Sequence, residues 1–61
     1  MNHWKQHCYY SVVMRSGVAI KGEYDHTDQI NGCIILVDTS SPQRHEIHIR
    51  LDEIAAVREM G

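Results

Sequence analysis

The chain has 61 residues, six basic against eight acidic side chains, and a formal net charge of −2 with histidine neutral. That length allows one domain, residues 1–61, and the acidic balance argues against a bulk basic surface for nucleic acid. A domain this small buries only about 60% of its unfolded surface, so oligomerisation is the expected source of extra stability.

Residues 1–8 carry no apolar run of the signal-peptide kind. They could form about two turns of helix after Asn2, laying Trp4 on the domain, and would need packing to stay helical. Residues 9–15 alternate as a strand, with Tyr10, Val12 and Met14 on one face and Tyr9, Ser11, Val13 and Arg15 on the other. Ser16-Gly17 makes a two-residue turn. Residues 18–25 then alternate again, with Val18, Ile20, Gly22 and Tyr24 inward and Ala19, Lys21, Glu23 and Asp25 outward.

Residues 26–32 read as a polar loop. Residues 33–37 are apolar throughout, so that strand should be covered on both faces. The run is far below the roughly 18 residues of a membrane span, so a soluble, cytoplasmic protein without membrane contact is expected. Residues 38–43, with Thr39, Ser40, Ser41 and Pro42, form a second loop. Residues 44–51 alternate, with Ile47, Ile49 and Leu51 inward and Glu46, His48 and Arg50 outward. Asp52-Glu53 is a short turn, and residues 54–58 close the chain as a strand. Short strands with this punctuation predict an all-β fold, a small closed barrel of five strands. Ile20, Ile35 and Ile49 are expected to meet in its core.

Little of this chain suits catalysis. Asp25 and Asp28 are best read as turn-forming carboxylates, because general acid–base work needs a cleft that shifts one pKa. No nucleophile elbow or phosphate-binding glycine pattern exists, so neither an enzyme nor a cofactor is expected. His3 and His7 would share a face if residues 1–8 were helical, with Cys8 beside them. Solvent-exposed histidines are the better account, and no metal is expected. Cys8 and Cys33 are expected as free thiols, with one bridge between them the open alternative. Tyr9 points outward, expected beside Arg15, as a stacking platform, an oligomer contact or a seat for the N-terminal helix.

Val12-Val13-Met14, Gly17, Gly22, Asp28, Asn31 and Ile34-Ile35-Leu36 together resemble the first motif of the Sm-like superfamily of Sm, LSm and Hfq proteins. Ile47-His48-Ile49-Arg50 followed by Ile54 resembles its second motif in outline. The resemblance implies a strongly bent, five-stranded Sm-like or SH3-like barrel with a short N-terminal helical segment. It further implies a homo-oligomer binding single-stranded RNA, where Asp28 orients a loop, Asn31 bonds a base edge and Arg50 contacts base or phosphate. Met14-Arg15-Ser16-Gly17, the polar middle loop and Arg50-Leu51-Asp52-Glu53-Ile54 are also similar to the bacterial Rho-inhibitor (Rof) family. That likeness implies the same barrel acting as an acidic monomer on the termination factor Rho, by protein contact. Tyr9, Glu23 and Asp25 are then the expected partner surface.

Overall fold

The computed structural model describes residues 4–40 and 42–60. Five strands follow one another: β1 (Tyr9–Met14), β2 (Ala19–Asp28), β3 (Cys33–Asp38), β4 (His45–Arg50) and β5 (Ile54–Glu59). A 3-10 turn, Leu51–Glu53, joins the last two. All pairings are antiparallel, in a single sheet of order β4-β3-β2-β1-β5.

The fold is all-β, as the alternation predicts, but the sheet is not a closed barrel. β4 and β5 are its two edges. Four strand spacings would hold flat edges about 19 Å apart. Three residues of 3-10 helix advance only about 6 Å. The sheet must therefore curl until its edges approach one another at Leu51–Glu53. Two register shifts help it curl, one between Val13 and Met14 and one between Tyr24 and His26. Arg15 fastens the corner: its Nε donates to the Asp52 carbonyl at 2.8 Å, and its backbone N–H donates to the Glu53 carbonyl at 2.8 Å.

Gly17 supplies the left-handed φ of 94° that the β1–β2 turn requires. Gly22 answers a different need. A Cβ there would lie 3.0 Å from the Leu36 Cβ and 3.1 Å from the Val37 carbonyl oxygen. Glycine lets β2 lie this close to β3 without displacing it.

The core lies on the concave face, where Tyr10, Val12, Ile34, Leu36 and Ile49 are buried. Ile20, Tyr24, Ile47, Leu51 and Ile54 pack around them. Each fully buried aliphatic chain contributes roughly 1.5–3 kcal/mol. The expected Ile20–Ile35–Ile49 core needs one correction. Ile34, not Ile35, is the β3 residue beside Ile49, its cross-strand partner. Ile35 projects to the convex face together with Val37, yet each is only 2% exposed. β3 is thus covered on both faces within one chain, and its outer face gives no reason for oligomerisation.

Two local expectations also change. β2 runs to Asp28 rather than ending at Asp25, because the shift at Asp25 lets the strand resume pairing as His26–Ile35, Thr27–Ile34 and Asp28–Cys33. Over Trp4–Cys8 the chain forms a turn, not a helix, with the Cys8 N–H donating to the Lys5 carbonyl at 3.2 Å and His7 at φ 67°. Asn2, where that helix was to start, lies outside the described residues. Trp4 does cover the core: it stacks on Tyr24 at 5.5 Å and meets Tyr10 edge-on at 4.9 Å.

Candidate functional site

Directly opposed residues of antiparallel strands project to the same face. The convex face is therefore a ladder of rows across the strands. Its end row is Asp28, Cys33 and Arg50, on β2, β3 and β4. Asp28 and Arg50 stand two strand spacings apart, about 10 Å. Asn31 joins them from the four-residue turn that links β2 to β3. The structure thus brings Asp28, Asn31 and Arg50 to one corner of the sheet.

That corner is held by its own hydrogen bonds. The Asn31 side-chain amide donates to Asp28 Oδ2 at 2.7 Å, and its backbone N–H donates to Oδ1 at 3.2 Å. These bonds, the side-chain one foremost, hold the Asp28 carboxyl below its ordinary range. With one amide N–H so engaged, Asn31 is fixed in orientation and keeps its side-chain oxygen as an acceptor for an incoming N–H. Leu51 N–H donates to the Gly32 carbonyl at 2.8 Å, tying the turn to the end of β4. Arg50 is exposed and pairs with Asp52 at 3.1 Å. Cys33 stands between Asp28 and Arg50 and donates its thiol to the Asn31 backbone carbonyl at 3.5 Å. From the sequence Cys33 is expected as a free thiol, Asp52 as part of a turn and Arg15 as a neighbour of Tyr9, and none of them is assigned to this corner. Only the Arg50-x-Asp52 spacing could have hinted at one of these contacts.

The next rows are different in character. His26, Ile35 and His48 form one, and Tyr9, Glu23, Val37 and Glu46 form another. Glu23 accepts from His7 Nδ1 at 2.9 Å, and His48 Nε2 lies 3.5 Å from Glu46. At the β2 register shift, Asp25 accepts from His26 at 2.6 Å and from Arg44 at 2.7 Å. The His26 hydrogen bond, with the Arg44 charge behind it, outweighs desolvation and lowers the Asp25 pKa. Glu23, Asp25 and Glu46 thus make an acidic band across the middle of the face, each with a histidine alongside. Tyr9 belongs to this band, where its hydroxyl bonds that of Thr39. It does not sit beside Arg15, which lies beyond the other end of β1 and is bound to the Asp52 carbonyl.

His3 lies outside the described residues, and His7 is engaged by Glu23. Among the described residues no group of three or more His, Cys, Asp or Glu is arranged to hold a metal ion. Cys8 and Cys33 are both free thiols. No helix among the described residues is long and apolar enough to cross a membrane.

Comparisons with protein-family models, curated proteins and solved structures find no match to this chain. The functional reading therefore rests on the residues themselves.

Proposed function

We propose that this chain is a cytoplasmic, RNA-associated regulatory module of the Sm-like kind, a homo-oligomer that binds single-stranded RNA and catalyses nothing. One observation carries the reading: the hydrogen-bonded Asp28–Asn31 turn shares a corner of the sheet with Arg50. A fixed amide acceptor near a guanidinium suits an unpaired base and its phosphate, the features by which single strands are read. The tightly curled five-strand sheet is consistent with an Sm-like or SH3-like barrel. With a net charge of −2, affinity for duplex DNA should be weak and RNA contacts local. The test is titration of labelled U-rich and A-rich oligonucleotides against the wild type and Arg50→Ala. Binding that Arg50→Ala weakens supports the reading. Equal binding by both proteins, or none by either at moderate salt, overturns it.

The acidic band supports a second reading, a Rof-like inhibitor of Rho-dependent termination acting by protein contact. Glu23 and Asp25 would then meet a basic RNA-binding surface of the termination factor, with Tyr9 beside them. Tight binding to that factor without RNA binding favours this reading. The salt dependence should then follow Glu23, Asp25 and Asp28 rather than Arg50.

A further inference from the structure

The register of β1 with both its neighbours defines another row on the convex face. Ser11 is opposed by Lys21 on β2 and by Arg58 on β5, so all three side chains project the same way. Ser11 is half-buried in the middle, and the two cations are exposed on either side.

These two cations stand apart from the rest. Lys5, Arg44 and Arg50 are paired with Glu59, Asp25 and Asp52, and Arg15 is spent on the Asp52 carbonyl. Among the described residues, Lys21 and Arg58 alone of the six basic side chains have no acidic or hydrogen-bonding partner. The carboxylates nearest to them along their own strands are occupied: Glu23 by His7 and Glu59 by Lys5. In the adjoining row Val13 is flanked by Ala19 and Ala56, both small and exposed. Nothing bulky on that side obstructs approach to Ser11.

We propose that Lys21, Ser11 and Arg58 form an anion site for a phosphate group. Strand spacing sets the two cationic residues about 10 Å apart at the backbone, with Ser11 midway. Both side chains are long enough to converge over the serine hydroxyl. The guanidinium offers a planar two-donor fork, the ammonium a mobile point charge, and the hydroxyl a third donor. This site lies across the acidic band from the Asp28–Asn31–Arg50 corner and does not depend on the RNA reading. The phosphate group is common to free phosphate and to a nucleic-acid backbone.

The test is an amide NMR titration at constant ionic strength, first with inorganic phosphate and then with a short oligouridylate. Saturable shifts centred on Ser11, Lys21 and Arg58 are expected with phosphate. Lys21→Gln and Arg58→Gln should each weaken binding about fivefold, and Ser11→Ala less. Arg44→Gln, which removes one positive charge from a residue paired with Asp25 and outside this row, should leave binding unchanged. If oligouridylate produces the same shifts, the site takes a backbone phosphate; if only phosphate does, it takes a free one. Either result supports the proposal. Absence of saturable shifts with both ligands, or an equal loss in Arg44→Gln and Lys21→Gln, overturns it. Oligouridylate shifts confined to Asn31 and Arg50 would overturn the backbone arm while leaving the RNA reading intact.

Discussion

Asn31 donates twice to Asp28, through its side-chain amide to Oδ2 at 2.7 Å and through its backbone N–H to Oδ1 at 3.2 Å. Both bonds favour the ionised carboxyl, which is why its folded pKa lies below the ordinary value of 3.8. A depressed folded pKa adds stability that is complete above the unfolded value and fades as pH falls through the folded one. The loss therefore falls below pH 3.8. Asn31→Ala should move the Asp28 midpoint up toward its ordinary value and bring acid loosening of the turn to higher pH. Carboxyl NMR titration of the two proteins measures this, and identical midpoints would show that Asn31 does not set the state of Asp28.

The close approach of β2 to β3 at Gly22 makes Gly22→Ala a sensitive probe. The added methyl meets the Val37 carbonyl oxygen at 3.1 Å, a backbone atom that cannot rotate away. A loss of roughly 1–3 kcal/mol is expected, in the range of overpacked cores. Ile34→Ala and Ile49→Ala should each cost about 2–5 kcal/mol, because both side chains are fully buried. Ile35→Ala should also destabilise, although it lies on the other face of β3. Thermal and urea unfolding would check all four. An Ile35→Ala protein with unchanged stability would mean that the convex face does not enclose that residue.

How far the sequence could be read depends on where its period of two stays unbroken. Tyr10, Val12 and Met14 on β1 and Ile47 and Ile49 on β4 alternate without interruption, and their inward faces were legible. On β3 residues 33–37 are all apolar, so no alternation distinguishes Ile34 from Ile35, and the inward set was read one residue out of step. At Asp25 the register shift breaks the alternation: Asp25 is the extra, unpaired residue, and His26 joins the outward row opposite Ile35. A polar segment with its period broken reads as loop, which is why residues 26–28 were missed as strand. Asp28, Asn31 and Arg50 stood out only through the resemblance to the Sm-like motifs. Their shared corner depends on the β2–β3 and β3–β4 registers, long-range pairings that no local pattern encodes. The Arg15–Asp52 contact, 37 positions apart, was hidden for the same reason.

Trp4 is the only tryptophan, and it seals the core by stacking on Tyr24. The Lys5 N–H next to it donates to the Tyr10 hydroxyl at 2.7 Å, fixing the segment over that end of the sheet. Trp4→Ala should therefore cost about 1–3 kcal/mol, less than a fully buried aromatic because Trp4 is only half-buried. In the wild type, tryptophan emission should shift to the red in the same transition that removes the β-sheet dichroism. A separate, earlier fluorescence transition would show that residues 4–8 detach before the sheet unfolds.

The two open edges govern the last expectation. β4 carries charge or imidazole at His45, Glu46, His48 and Arg50, whereas the first four residues of β5, Ile54, Ala55, Ala56 and Val57, carry none. Val57 remains 41% exposed although it faces the core side, and with Leu51, Ile54, Ala55 and Ala56 it lines a shallow groove along the edge. An uncharged strand edge invites pairing with another strand unless something covers it. Since β3 is already covered on both faces, assembly through strand edges is the route left for the proposed homo-oligomer. Light scattering should give a mass several times that of one chain, and Ala56→Lys, which sets a charge on this edge, should lower it while leaving the melting temperature of the single domain largely intact. A wild type that stays strictly monomeric at high micromolar concentration would remove the oligomer. The balance would then move toward the protein-directed inhibitor, since an acidic monomer needs only one face, whereas a multi-site RNA reader needs several copies of the Asp28–Asn31–Arg50 corner acting on one strand.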